Sequence, residues 1–286
     1  MKKNNILAAI AVILLFVISC KKSNTSITPL QTNIHLDSNG QVGNHIVDKD
    51  GRSLYFFAND ANGLSNCTGG CLATWPAFLA DSATATYSDG LTASDFKTII
   101  TASGSKQTTY KGWPLYYYAP GGAPEPAGQT TGEGIGGIWF VAKTNYSIMF
   151  ANNQLIGGNG INYLSDYSAG DGRSIYLTDG NGNTLYTFAR DSNLINKFTK
   201  PDFSNNSLFP IYETTNITTP STLDKSLLVA INVNGKNQLT YNGWPLYYYG
   251  ADSLVRGATK GITFPSSQPV GAIWPVATKD KVPAPR

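Results

Sequence analysis

A ten-residue segment recurs almost unchanged in this chain, and that recurrence limits the fold more than any other feature. The run Thr-Tyr-Lys-Gly-Trp-Pro-Leu-Tyr-Tyr-Tyr at 109–118 returns at 240–249 with nine identities in ten, 131 residues later. At the same offset Leu54-Tyr-Phe-Phe-Ala-Asn-Asp60 maps onto Leu185-Tyr-Thr-Phe-Ala-Arg-Asp191. Gly136-Gly-Ile-Trp139 returns as Gly271-Ala-Ile-Trp274, with an offset of 135 that marks a small insertion. Three collinear matches mean a tandem duplication, so the fold must consist of two like modules. A fainter repeat divides each module, because Tyr55 to Tyr116 and Tyr186 to Tyr247 are both separated by 61 residues. Around these tyrosines the pattern Tyr-x-aromatic-x-x-Asp reads Tyr55/Phe57/Asp60, Tyr186/Phe188/Asp191 and Tyr247/Tyr249/Asp252. In the fourth copy, Tyr116/Tyr118, Gly121 stands where the acid is expected.

The elements within a module read as strands. Asn44–Val47, the turn Asp48-Lys-Asp-Gly51 and Ser53–Ala58 predict a hairpin, since Asp-Gly supplies the positive φ of a tight turn. Tyr176–Thr178, Asp179-Gly-Asn-Gly182 and Thr184–Ala189 repeat it. Trp113–Tyr118 is apolar or aromatic on both faces, which suits a central strand or an exposed aromatic shelf. Short helices are expected over 91–102, capped by Ser94, and over Cys71–Leu79, where the Trp75-Pro76 step limits the length. Residues 119–137, rich in Gly and Pro, read as a long loop. With 33 aromatic residues, 29 Gly and 15 Pro, the composition agrees with a turn-rich, mainly β chain. The expected fold is two tandem homologous β-rich modules, each of two sub-repeats of about 60 residues, with short helices and long Gly/Pro loops.

The N-terminus reads as an export signal. Lys2 and Lys3 precede an unbroken apolar run, Ile6–Ile18, that is too short to span a bilayer but suits a signal sequence. The run ends in Val17-Ile-Ser-Cys20, the pattern of a bacterial lipobox, where the Cys thiol takes a diacylglycerol and cleavage exposes its amine. An ordinary signal peptide or a signal anchor with an incidental Cys is the alternative. Two or more acyl chains hold a protein on a bilayer stably, where one holds it marginally. The organisation expected is a signal over 1–19, a lipidated Cys20 with a flexible tether to residue 31, a module over 32–145, a connector over 146–161 and a module over 162–286 with a short tail. That places the protein in a bacterial cell envelope, on the outer side of the cytoplasmic membrane, periplasmic or at an outer membrane if the cell has one. The formal charge of +3 comes from lysines before residue 23, and from residue 44 onward 17 bases face 17 acids. Without a basic stripe, a nucleic-acid partner is excluded.

The lipobox, the duplicated Tyr-x-(Phe/Trp/Tyr)-x-x-Asp motif, the segment Cys67-Thr-Gly-Gly-Cys71 with Trp75-Pro76, and the Gly-Trp-Pro-Leu-Tyr-Tyr-Tyr strand together resemble the secreted-repeat lipoproteins of bacteria. The resemblance covers most of residues 45–279 and implies an envelope lipoprotein; it brings no catalytic residue, because that family has no assigned activity. The second module departs from the pattern by lacking the Cys pair.

Each candidate site has competing readings. Cys67 and Cys71 are expected to form a disulfide in an oxidising compartment, a local clamp rather than a redox pair. In the second module Phe198 and, after one inserted residue, Phe203 stand in their places. Asp60, Asp191 and Asp252 would either accept backbone N–H bonds and fix the following turn, or serve hydrolysis as paired carboxylates. Asp179-x-Asn181-x-Asn183 superficially resembles a calcium loop, but lacks its Gly and Glu and reads better as a hairpin turn. His35 and His45 are the only imidazoles, so no catalytic triad, covalent haem or copper set can be assembled, and no metal or cofactor is expected. Gly132-x-Gly134-x-Gly136-Gly137 reads as a loop, since it lacks a P-loop Lys. Trp113, Tyr117, Tyr118 and their repeats Trp244, Tyr248, Tyr249 would be either sheet core or stacking platforms for a sugar or peptide. The expected role is a non-enzymatic binding module whose partner is a glycan, a peptide or an envelope protein. A purely structural envelope protein is the alternative, and a hydrolase or redox protein using the Asp motifs or the Cys pair ranks behind both.

Overall fold

The computed structural model describes residues 33–80 and 84–286, so the expected signal, the tether and Cys20 lie outside the described residues. The chain is mainly β. In the first module, β1 (Ile34–Asn39) and β2 (Gly43–Asp48) form an antiparallel hairpin. A tight turn follows, in which the Gly51 N–H donates to the Asp48 carbonyl and Gly51 takes a φ of 78°. The chain then enters β3 (Tyr55–Phe57), and helix α1 (Gly70–Thr74) lies in the excursion that follows. Next come β4 (Phe96–Ile100), β5 (Lys106–Tyr110) and β6 (Trp113–Pro114), which form an antiparallel meander. The module closes with β7 (Trp139–Val141) on β3.

The second module repeats this plan. Strand β8 (Met149–Asn153), the short pair β9 (Leu155–Ile156) and β10 (Asn162–Tyr163), and β11 (Ser174–Thr178) lead to β12 (Tyr186–Thr187). Strands β13 (Leu228–Val233), β14 (Lys236–Tyr241) and β15 (Trp244–Tyr247) complete a four-stranded sheet of order β12-β15-β14-β13. The correspondence reaches individual bonds. The Ile46 N–H donates to the Ala142 carbonyl, and the Leu177 N–H to the Ala277 carbonyl.

Three local expectations need correction. Residues 91–102 do not form a helix: a 3-10 turn over Ala93–Asp95 gives way to β4. The stretch Thr98-Ile-Ile100 is β-branched, which disfavours helix and suits a strand, and β5 offers it a full ladder of partners. The helix expected over Cys71–Leu79 spans only Gly70–Thr74 and stops before Pro76, as Pro demands of the residue ahead of it. The stretch 146–161, expected to be a connector, contains β8, which pairs with β11 as β1 pairs with β2. Module two therefore draws its opening strand from that stretch.

Sub-repeats meet two by two at their tyrosines. Tyr55 bridges Tyr116, and Tyr186 pairs with Tyr247. The core is dominated by aromatics, with Tyr55, Tyr116, Tyr186 and Tyr247 all fully buried. Below them lie stacked rings: Trp75 on Trp139 at 3.8 Å and Trp139 on Phe57 at 3.9 Å in module one, Phe209 on Trp274 at 3.4 Å in module two. Such rings contribute large buried area and an additional geometric term of about 1 kcal/mol per well-placed pair.

Candidate functional site

The motif tyrosines and acids are exchanged between sub-repeats. Tyr116 Oη donates to Asp60 Oδ2 at 2.6 Å, across 56 residues of chain. Tyr247 does the same to Asp191 at 2.8 Å, and Tyr186 to Asp252 at 2.6 Å. The fourth tyrosine, Tyr55, donates to the carboxylate of Glu125. Each sub-repeat thus supplies a hydroxyl to its sister's acid. The second oxygen of each acid accepts a backbone N–H further along: Asn66 for Asp60, Lys197 for Asp191, Lys260 for Asp252 and Thr131 for Glu125. Glu125 is the functional counterpart that the sequence motif missed. Its register slips by four residues past Gly121, and the longer Glu side chain restores the reach.

These acids are built into the core. Burial pushes the Asp60 carboxyl up to about 7 and that of Asp191 up to about 6, against the opposing effect of the bonds they accept. Asp252 is raised for the same reason. The partner tyrosines lie well above their ordinary value, because burial and the adjacent carboxylates both disfavour phenolate. Gly132 and Gly261 donate N–H bonds at 3.3 Å to Tyr55 Oη and Tyr186 Oη. A Cβ at either glycine would lie within 2.9 Å of the tyrosine ring, so only glycine fits.

The remaining singled-out residues are distributed as follows. Trp113 and Trp244 are buried, and each donates Nε1 to a backbone carbonyl, of Gly180 at 2.9 Å and Val282 at 2.8 Å. They therefore cannot serve as surface platforms; a strand apolar on both faces is here one packed on both sides. Tyr117 and Tyr248 donate to Asp48 and Asp179, whose other oxygens accept the N–H groups of Asp50 and Arg52, and of Asn181 and Asn183. Both carboxylates are thus committed to hairpin turns, and Asp179 is not placed as a calcium ligand. Buried His45 lies between the Gly43 carbonyl and Ser53 Oγ, at 3.0 Å from each. Among the described residues no group of three His, Cys, Asp or Glu side chains is placed to hold a metal ion.

Cys67 and Cys71 are disulfide-bonded. Cys67 packs into the cluster of Phe57, Tyr116, Trp75 and Trp139. Phe198 occupies the equivalent place in module two, with its ring edge-on to Phe188, Tyr247 and Trp274. Phe203 is partly buried against the same core and lies beneath Lys236 Nζ at 5.1 Å.

Four candidate residues are partly exposed, Tyr117, Tyr118, Tyr248 and Tyr249, and of these Tyr118 and Tyr249 are not tied to a hairpin carboxylate. Each rests on the ring beneath it, Tyr118 on Trp75 at 4.5 Å and Tyr249 on Phe209 at 4.8 Å. Their surroundings differ. Tyr249 forms a ridge between two clefts, of about 450 Å³ and about 400 Å³. The larger is also lined by Lys260, Phe264, Ser266 and Gln268, the smaller by Tyr212, Glu213 and Leu254. An aromatic face flanked by concavities with amide, hydroxyl and ammonium groups offers a stacking surface together with hydrogen-bonding groups.

Residues 38–78 and 97–143 each match the family described as a secreted repeat of unknown function. The two matches fall on the two sub-repeats of module one, and the internal duplication extends the pattern through module two. A secreted repeat implies a location outside the cytoplasm, in the envelope or beyond it. Among the described residues no helix is long and apolar enough to cross a membrane. No curated protein and no solved structure matches the chain.

Proposed function

We propose, for a chain whose first module is built of two secreted repeats, the role of a lipid-anchored envelope protein that binds a glycan through the face of Tyr249. One observation carries the binding half of this reading: the Tyr249 ring stands half-buried between two clefts while its hydroxyl holds no hydrogen bond among the described residues. A core tyrosine of this fold instead has its hydroxyl engaged, as Tyr55, Tyr116, Tyr186 and Tyr247 do. Hydrolysis is the weaker reading, since Asp60, Asp191 and Asp252 are buried and each is committed to a tyrosine hydroxyl and a backbone N–H. A general acid needs to reach a substrate proton, and these carboxyls do not reach a surface.

The anchoring half rests on the lipobox at Val17–Cys20. Expressed with its own signal, wild-type protein should sediment with membranes, and Cys20→Ala should appear in the soluble fraction. Membrane association unchanged in Cys20→Ala would remove the anchor from the reading. For binding, the folded body is passed over immobilised envelope and extracellular glycans, and Tyr249→Ala is compared with wild type. The proposal fails if no glycan is retained, or if Tyr249→Ala retains all that wild type does. The purely structural reading is favoured by the burial of Trp113 and Trp244, and that outcome would leave it standing.

A further inference from the structure

The two modules are copies, so the places where they differ at equivalent positions show what one copy has acquired. The half-exposed tyrosine is common to both, as Tyr118 and Tyr249. The neighbourhood is not. The backbone N–H that binds the sub-repeat acid belongs to Thr131 in module one and to Lys260 in module two. The next glycines, Gly132 and Gly261, are matched by their bonds to Tyr55 and Tyr186. Three residues on from them, Ile135 in module one stands where Phe264 stands in module two.

These two exchanges change the chemistry of the cleft. Thr131 turns its hydroxyl inward onto Glu125 at 2.8 Å, whereas Lys260 is exposed and reaches only the Ala251 carbonyl, at 3.5 Å. The ring of Phe264 stands 5.8 Å from that of Tyr249, and Ile135 offers no such face. Among the described residues Lys260 is the one formally charged side chain lining the 450 Å³ cleft, which gives the cleft a cationic wall. Gln268 and Ser266, both exposed at its rim, add an amide and a hydroxyl. The Asp252 carboxyl, on which the Lys260 charge acts, is buried, engaged by Tyr186 and the Lys260 N–H, and does not line the cleft.

We propose that the cleft bounded by Tyr249, Phe264 and Lys260 selects acidic glycans, a carboxylate-bearing pyranose being its preferred unit. The proposal deepens the glycan reading above and rests on it. The C–H groups of a pyranose carry a slight positive charge and suit the negative faces of Tyr249 and Phe264. A ring carboxylate would lie against the Lys260 ammonium, a compact charge whose three donors adapt to a single anionic group. Ring hydroxyls would find Gln268, Ser266 and Tyr249 Oη.

The test compares oligogalacturonate with the matched neutral galacto-oligosaccharide by titration calorimetry on the folded body. Oligogalacturonate should bind more tightly, and the preference should fade as salt is raised toward about 1 M, where charges are screened within about 3 Å. Lys260→Gln should weaken oligogalacturonate about fivefold while leaving the neutral sugar unchanged, the size expected of a partly exposed ion pair. Because Lys260 is exposed, this variant should keep its melting temperature, which separates lost contact from lost fold. Tyr249→Ala should abolish binding of both sugars, and Tyr118→Ala in the sister module should affect neither. Equal affinity for the two sugars, or a preference that survives Lys260→Gln, overturns the acidic specificity and leaves glycan binding intact. Loss of neither sugar in Tyr249→Ala overturns the site itself.

Discussion

Removing one hydroxyl from the core, by Tyr116→Phe, should destabilise the protein by an amount that grows with pH. Tyr116 is fully buried, and its Oη donates to Asp60 Oδ2 at 2.6 Å and shares a 2.9 Å bond with Ser65 Oγ. The ring fills the same space after substitution, so no cavity forms, and Ser65 is partly exposed and can turn to water. Asp60 cannot; it is fully buried and is left with Asn66, whose N–H lies at 2.8 Å. Its carboxyl titrates near 7 in the folded protein and near 4 when unfolded. A group raised in this way contributes stability fully present below the unfolded value, and loses it as pH climbs through the folded value. Wild type should therefore weaken between about pH 4 and about pH 7 and change little above that. Near pH 5 Asp60 is neutral, and the lost bond costs about 1 kcal/mol. Near pH 8.5 the carboxylate is charged and short of a donor, which costs about 2–3 kcal/mol. Urea unfolding of wild type and Tyr116→Phe at both pH values measures the difference, with an unchanged m-value confirming that the same transition is compared. If the cost is equal at the two pH values, or smaller at the higher one, Asp60 is not a buried titrating acceptor and the exchange of acids between sub-repeats does not organise the core.

Three further outcomes follow from the packing. Replacing both Cys67 and Cys71 with Ala should cost about 2 kcal/mol, the entropy of so short a loop, and lower the melting temperature by about 4–8 °C; an unchanged melting temperature would mean the clamp is redundant with the aromatic cluster. Gly132→Ala and Gly261→Ala should each cost about 1–3 kcal/mol by thermal melts, since the new Cβ meets the Tyr55 or Tyr186 ring within 2.9 Å; a neutral result for both would show that the tyrosine rings move freely. Arg256→Met should lose about 2 kcal/mol in urea unfolding, because Arg256 Nη1 donates to the carbonyls of Lys111 and Asn181 and the guanidinium lies 4.6 Å from the Trp113 ring centre; unchanged stability would exclude it as a seam between modules.

Much of this architecture is legible in the chain because duplication writes the same constraints twice. The hairpins at Asp48–Gly51 and Asp179–Gly182, the mainly β character and the paired sub-repeats all follow from matched residues at fixed offsets. What the chain hides is partnership across distance. The Tyr-x-aromatic-x-x-Asp motif places its acid near its own tyrosine in sequence, yet the two do not bond; the acid's donor is 56 or 66 residues away in the sister sub-repeat. Glu125 was concealed by a four-residue slip in register, and only the empty place at Gly121 signalled that another acid had to exist. The aromatic strand poses a different problem. Alternation shows which side chains share a face, but not whether a second layer covers it, so core is the favoured reading of Trp113 and Trp244 without excluding a platform. Tyr249 is half-exposed like its counterpart Tyr118, but its flank carries Lys260 and Phe264, neither of which belongs to the repeated motif.

The crossed bonds also explain why the repeating unit of this chain is the pair of sub-repeats and not the single sub-repeat. A lone sub-repeat carrying Asp60 would bury a carboxyl without its tyrosine, and leave Tyr55 without an acceptor, since Tyr116 and Glu125 both lie in its sister. An unsatisfied buried polar group costs about 1–3 kcal/mol, and more when charged, so each half is penalised twice until the other arrives. Stability then appears only when both are present, which makes the module of about 120 residues the cooperative unit and fits the size at which a single core becomes self-sufficient. Duplicating that unit duplicates a finished lock. The second copy is free to vary wherever the lock does not reach, and the departures at Lys260 and Phe264 fall beside the tyrosine that the lock leaves open. On the reading proposed above, the chain keeps one copy closed by Cys67–Cys71 for stability, and its twin, which diverges around Tyr249, is the copy given over to contact with a ligand.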